Sequence, residues 1–150
     1  MRSGGLFIGE PSVESGIATL IEALQICPVA RVAVIPEASR AALQRAAYVV
    51  LPALSCEGIP TSIVAAFAHG LPVIASRLAP VLDLVESGRN GFLFEAGSAR
   101  DLARRLAWAE AFPEKMRQMG ECARADYQAR FIANWSYPTL FGERRRSARI

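Results

Sequence analysis

At 150 residues, with 52% hydrophobic and 21% charged side chains, the chain is long enough for one domain with a substantial core. Its formal charge is +3, but Arg144, Arg145, Arg146 and Arg149 fall in the last seven residues, so the body before them is close to neutral. That distribution argues against a nucleic-acid-binding face, which needs a basic surface with interleaved aromatic side chains. Cys27, Cys56 and Cys122 are widely spaced, odd in number and without a C-x-x-C pair, which argues against a disulfide framework or a zinc site.

In chain order, residues 6–8 predict a strand and residues 17–25 a helix whose Ile17, Leu20, Ile21 and Leu24 form an inward stripe. A strand over 31–35 and a helix over 38–46 follow. Tyr48-Val49-Val50-Leu51 is an apolar run of strand length that Pro52 stops. After a loop containing Ser55, Glu57 and Gly58, Pro60 suits the first turn of a helix over 61–69, because its missing N–H is no loss there. Gly70 closes that helix as a left-handed cap, with Pro72 shortly after.

Residues 73–75 predict the next strand, 81–86 a short helix and 92–94 a further strand. Ser98 caps a helix reaching about residue 109, with Leu102, Leu106 and Ala109 inward, and Pro113 opens another reaching about residue 131. Trp108 and Phe112 are expected to pack against that last helix. Strands alternating with helices, the strands themselves apolar throughout, predict an α/β fold: a Rossmann-like parallel sheet with helices on both faces. The expected domain spans residues 1–134, and residues 135–150 form a basic C-terminal tail.

No apolar run approaches the roughly 18 residues of a membrane span, and no signal-peptide core follows Met1-Arg2-Ser3. The expected setting is therefore cytoplasmic, with at most weak peripheral membrane contact through the basic tail. Neither G-x-G-x-x-G nor G-x-x-x-x-G-K-[ST] is present, so the phosphate grips of dinucleotide-binding and P-loop proteins are lacking.

Chemistry concentrates between Tyr48 and Ser76. In a strand, turn, helix, strand unit the strand's carboxyl end and the helix's free N–H groups face one crevice, which suits an anion. Glu57 adds a carboxylate for hydroxyl groups, a combination that fits a phosphorylated sugar. Two other polar groups carry competing readings. Cys56 could be a nucleophile, but the sole histidine, His69, stands at the far end of the following helix and reads more simply as a cap. Glu10 and Glu14 could be an acid/base pair or acidic residues favouring the dipole of the helix they precede.

Glu57-Gly58-Ile59-Pro60 followed by residues 66–76, which fit A-x-x-x-G-x-P-V-[VI]-A-[ST], resembles the donor-site signature of the GT-B retaining glycosyltransferases of family four. Downstream, Val85-Glu86-Ser87-Gly88-Arg89-Asn90-Gly91-Phe92-Leu93-Phe94 is similar to the family's V-x-x-G-x-N-G-x-L segment. Met119-Gly120, Ala123-Arg124 and Arg130-Phe131 also sit where that family carries M-G, A-R and R-F. The resemblance runs from about Tyr48 to Trp135 and is weaker before it. It implies one half of a GT-B fold, the carboxyl-terminal domain that binds a nucleoside-diphosphate sugar as donor substrate, with no other cofactor and no metal. Glu57, Gly58, Ile59, Pro60 and Thr61 would then contact the donor, Glu57 through sugar hydroxyls and the amides through sugar and phosphates. No residue is assigned a catalytic role.

The departures from the pattern define what is missing. The family's second glutamate, eight positions after the first and expected to hold the ribose, is Ala65. In the upstream G-R-x-x-x-E-K-G turn, Glu10 replaces the arginine and Ser15 the lysine that hold the diphosphate. A usual glycine pair is Ala79-Pro80, the glutamate after it is Asp83, and a strand and helix usual between residues 36 and 48 are shortened to a single helix. Arg77, following the strand at 73–75, is the candidate substitute phosphate contact; its alternative is a solvated loop arginine. Three readings follow: a donor half that transfers sugar to a glycan or lipid-linked acceptor with a separate acceptor-domain protein, as in polysaccharide biosynthesis; a binding or assembly subunit that lost the chemistry; or a gene fragment.

Overall fold

The computed structural model describes residues 2–132; the tail expected at residues 135–150 lies outside the described residues. Five short strands, β1 (Gly5–Ile8), β2 (Val32–Ile35), β3 (Tyr48–Leu51), β4 (Val73–Ser76) and β5 (Gly91–Phe94), form one sheet. All pairs are parallel, in the order β2-β1-β3-β4-β5. Helices α1 (Ile17–Ile26), α2 (Arg40–Arg45), α3 (Thr61–Ala68), α4 (Ala79–Leu82), α5 (Ala99–Ala111) and α6 (Pro113–Tyr127) connect and follow the strands, and a π-helical turn, Gln128–Ile132, extends α6.

Side chains alternate across the sheet with the strand period of two, which sorts the core into two layers. On one face Val50 and Ile74 join Phe7, Leu20, Leu102 and Leu106 under α1 and α5. On the other, Val49, Val73 and Ala75 join Leu43, Ile63, Phe67 and Val81 under α2, α3 and α4. Full burial of each leucine or isoleucine contributes roughly 1.5–3 kcal/mol. The expected sheet covered on both faces is thus observed from β1 to β5, whereas at β2 Ala33 and Val34 are exposed.

Local chemistry sets the boundaries. Ser98 accepts the Asp101 N–H at 3.1 Å and caps α5 as its sequence predicts. Ser39 caps α2 in the same way through the Ala42 N–H, so that helix starts later than the expected residue 38. At the end of α3, Gly70 has φ 72°, its N–H donates to the Phe67 carbonyl and the Leu71 N–H to the Ala66 carbonyl, the two bonds of a left-handed cap. α6 crosses at this cap: a Cβ on Gly120 would overlap the Gly70 carbonyl oxygen, and Arg124 donates to the Ala68 carbonyl. Met119-Gly120 and Ala123-Arg124 are therefore residues of close helix contact.

Four expectations change in detail. Ile21 is 52% exposed and lies off the inward face of α1, where Thr19, Leu20 and Ala23 are buried. α4 begins at Ala79 because Leu78 accepts the Val81 and Leu82 N–H groups with Pro80 in the first turn. The last helix keeps α-helical bonding only to Tyr127. The ring partners of Trp108 are Phe92 of β5, edge-on at 4.9 Å, and Phe112 at 4.8 Å.

Candidate functional site

Every strand in a parallel sheet delivers its following loop to the same edge, so the segments after β1, β3, β4 and β5 share one end of the molecule. The chain runs from β1 outward to β2 and then returns to place β3 on the other side of β1. β1 and β3 therefore flank the point where the strand order reverses, which is where open α/β sheets leave a ligand crevice.

The two loops at that point are tied together. The Leu54 N–H donates to the Glu14 carbonyl at 2.9 Å, and Ser55 Oγ donates to Glu14 Oε1 at 3.2 Å. Gly16 adopts φ 78° and lies so close to Pro52 that a Cβ would overlap its carbonyl oxygen. Glu14 is thus a loop-joining residue rather than one of an acid/base pair with Glu10. Sequence alone gives no such role; the nearest signal is Gly16, whose need for a left-handed conformation implies a tight turn.

Glu57 projects from the β3–α3 loop, is exposed, and makes no hydrogen bond or ion pair within the described residues. Gly58 turns the chain with φ 72°, Ile59 is 60% exposed, and Pro60 is buried as the cap residue of α3. No side chain caps α3. Its first N–H groups, beginning at Thr61, consequently leave their positive dipole end uncompensated. Arg77 directly follows β4, the neighbour of β3 in the sheet; its N–H donates to the Phe94 carbonyl at 2.9 Å, and its side chain is exposed. The five contiguous residues and Arg77 thus share the carboxyl edge, and among the described residues no hydrogen bond or ion pair joins Arg77 to Glu57.

Two of the positions where the pattern departs, Ser15 and Ala65, have settled into structural roles. Ser15 Oγ donates to the Ser12 carbonyl at 2.8 Å and accepts the Ser12 N–H at 2.9 Å, while the Ser15 N–H donates to Ser12 Oγ at 3.1 Å. Glu10 is exposed. Ala65 packs against the core layer beneath α3.

Cys56 and His69 bracket α3 from opposite ends, so they form no dyad. Burial pushes the Cys56 thiol up, away from the thiolate a nucleophile requires. His69 Nδ1 donates to the Ala65 carbonyl at 3.0 Å and acts as the helix cap its position suggests. Among the described residues no three His, Cys, Asp or Glu side chains gather to hold a metal ion. No helix there is long and apolar enough to cross a membrane.

The amino-terminal start of β5 is held by a buried asparagine. The Glu86 N–H donates to Asn90 Oδ1 at 2.8 Å, and Asn90 Nδ2 donates to the Leu84 carbonyl at 3.0 Å and to Asp126 Oδ2 at 2.7 Å. Arg89 joins the same carboxylate at 2.6 Å and Glu86 at 2.6 Å, and these pairs hold its guanidinium well above its ordinary range. Gly91 then allows β5 to approach β4 where a Cβ would overlap the Val73 carbonyl. Asn90-Gly91 is accordingly structural. Two cavities of about 740 and 730 Å³ lie elsewhere, one at the opposite, amino-terminal edge around Pro72 and Gly120 and one along β2 from Gly4 and Arg31 to Ile35. They are remote from the crevice loops, and the crevice itself is an open cleft.

A family model described as "Glycosyl transferases group 1" matches residues 6–126. Over 51 residues the chain is 41% identical to a protein of Salmonella typhimurium described as a colanic acid biosynthesis glycosyltransferase, WcaL, a stretch of 34% of this chain and 13% of that one. HepE of Anabaena, solved in complex with UDP-glucose, superposes with a TM-score of 0.76 at 21% identity, covering 86% of this chain and 45% of that one. The C-terminal domain of the group 1 protein LpcC of Francisella tularensis superposes with a TM-score of 0.73 at 17% identity, covering 87% of this chain and 88% of that domain. The chain spans less than half the length of HepE and matches nearly the whole of the isolated domain. One half of a GT-B fold, the expected architecture, is what these superpositions show.

Proposed function

We propose, from the premise that this chain belongs to the glycosyl transferases group 1 family, that it binds a nucleoside-diphosphate sugar as the donor half of a glycosyltransferase. The observation that carries the proposal is the exposed Glu57, without a partner among the described residues, beside the uncapped start of α3 at the point where strand order reverses. A carboxylate free of internal partners is available to accept hydrogen bonds from sugar hydroxyls. The amides from Gly58 to Thr61 offer the partial positive charge that a diphosphate needs, and Arg77 offers a full one. HepE, crystallised with UDP-glucose, makes uridine diphosphate sugars the first donors to test.

In transfer, the sugar's anomeric carbon exchanges the diphosphate oxygen for an acceptor hydroxyl oxygen with retention of configuration, as the family resemblance implies, and the hydroxyl's proton passes to the departing diphosphate. The departing diphosphate gains negative charge, which the α3 amides and Arg77 would stabilise. Holding an acceptor in line with that carbon is worth roughly 7–11 kcal/mol of barrier. The described residues offer an open cleft with no opposing wall, so the proposed reaction needs a separate acceptor-positioning domain. The acceptor is of the glycan or lipid-linked class, a choice supported by the colanic acid description of WcaL. Three free thiols suit a cytoplasmic setting.

A second reading, a binding or assembly subunit without transfer, is favoured by one observation: Glu10, Ser15 and Ala65 remove both diphosphate cations and the ribose carboxylate. Calorimetric titration with UDP-, GDP- and ADP-glucose, followed by a transfer assay with added acceptor domain, tests both. Binding with transfer supports the donor half; binding without transfer supports the second reading; no binding of any of the three contradicts both.

A further inference from the structure

We propose, resting on the reading of Glu57 as a donor contact, that Glu14 is a positioning residue for the donor site. Its carboxylate holds Ser55, and through Ser55 it sets the Glu57 carboxylate in place before a donor arrives. Among the described residues, every hydrogen bond that ties residues 54–59 to the rest of the chain ends on Glu14. The Leu54 N–H donates to its carbonyl at 2.9 Å, and Ser55 Oγ donates to its Oε1 at 3.2 Å. The other bond in the segment, from Cys56 Sγ to the Gly58 carbonyl at 3.8 Å, is internal to it. Packing adds little at the tip: Glu57, Gly58 and Ile59 are exposed, and a Cβ on Gly58 would meet no atom within 4 Å. The next fixed point is Pro60, buried at the start of α3.

Glu14 can serve as the anchor because its own turn is braced. Ser12 and Ser15 exchange three hydrogen bonds around it, and Gly16 rests on Pro52 with no room for a Cβ. The turn then runs directly into α1, whose Leu20 and Ala23 are buried in the core. Ser55 lies two residues before Glu57, so rotation about the Ser55 backbone swings the Glu57 carboxylate, and a fixed Ser55 removes that freedom. Freedom removed in advance is not lost at binding, so the braced loop holds a donor more tightly than a loose one with the same groups. An ionised acceptor suits the task, since hydrogen bonds to a carboxylate are the stronger ones. The Leu54 bond uses the main chain and survives any substitution of Glu14, so side-chain variants isolate the Ser55 tie.

The test is titration of isotope-labelled chain with UDP-glucose, followed by amide shifts, for the parent, Glu14→Ala, Ser55→Ala, their double variant and Glu14→Gln. Glu14→Ala and Ser55→Ala are each expected to raise the dissociation constant about fivefold, and the double variant no further, because both remove the same bond. Glu14→Gln keeps an acceptor oxygen and is expected to bind as the parent does. In chain already carrying Glu57→Gln, Glu14→Ala is expected to change affinity less than about twofold, a dependence that a merely structural role would not produce. Without donor, the heteronuclear NOE of the Glu57 and Gly58 amides is expected to fall in the two alanine variants and to hold in Glu14→Gln. Urea midpoints near the parent's show that each variant remains folded. Unchanged affinity or unchanged NOE in Glu14→Ala overturns the proposal while leaving donor binding intact. So does an equal loss in Glu14→Gln, or an equal loss with Glu57→Gln already present. No amide shifts in the parent would contradict donor binding itself, and the proposal would fall with it.

Discussion

Gly16 and Pro52 meet so closely that the glycine's missing side chain is a condition of the contact: any Cβ there would overlap the Pro52 carbonyl oxygen. Gly16 also holds φ 78°, which L residues rarely adopt. Together with the bonds from Leu54 and Ser55 to Glu14, this contact fixes the spacing of the two loops that form the crevice.

Gly16→Ala is accordingly expected to cost at least about 2 kcal/mol, combining overpacking with backbone strain. Gly9→Ala is the comparison, since Gly9 also has positive φ (130°) but has no atom within 4 Å of its Cβ position; its cost is expected near 1 kcal/mol. Urea unfolding midpoints of the two variants check the ranking. Equal losses would mean that the Pro52 contact adds nothing.

Asn90 is fully buried and makes three hydrogen bonds, so Asn90→Ala strands the Glu86 N–H and the Leu84 carbonyl and is expected to cost roughly 2–4 kcal/mol. Arg89→Ala removes the ion pairs to Asp126 and Glu86 from a side chain 44% exposed and is expected to cost less than about 1 kcal/mol. A thermal-unfolding comparison decides between them. The reverse order would show that the ion pairs, not the asparagine, hold this corner.

Glu57→Gln is expected to leave stability within about 0.5 kcal/mol of the parent, because the carboxylate has no partner among the described residues. Donor affinity is expected to fall about tenfold or more, since a hydrogen bond to a charged group contributes roughly 1.5–3 kcal/mol. Paired unfolding and calorimetric measurements read the two effects separately. A stability loss without an affinity loss would make Glu57 a turn-stabilising residue only.

Unaltered chain is expected to bind nucleotide sugars weakly, with dissociation constants near about 1 mM, because two missing phosphate cations remove roughly 3–6 kcal/mol. Ser15→Lys restores one cation at a position whose side chain, among the described residues, bonds only Ser12, and is expected to tighten binding about tenfold. Low-micromolar binding by the unaltered chain would mean that other side chains have replaced the lost ones.

The fold was legible where apolar runs and punctuating residues agreed. Tyr48 to Leu51 with Pro52, and Pro60 with Gly70, marked a strand and a helix whose observed limits differ from expectation by at most a residue or so. Ile21 and the edge position of β2 were not legible, because a local apolar pattern reports burial only when tertiary neighbours exist to provide it. The site divides the same way. Glu57 to Thr61 and Arg77 were visible in the motif and its strand, whereas the roles of Glu14, Ser12 and Asp126 depend on contacts between segments distant in sequence.

Donor binding at the carboxyl edge is tested most directly by amide chemical shifts of isotope-labelled chain during titration with UDP-glucose. Added to about 10 mM, several times the expected dissociation constant, the nucleotide sugar is predicted to shift the amides of Glu57, Gly58, Ile59, Thr61 and Arg77. The same titration of Glu57→Gln is predicted to show those shifts at higher concentration. Shifts confined to the amino-terminal edge around Gly70 and Arg117, or no shifts with UDP-, GDP- or ADP-glucose, would contradict it.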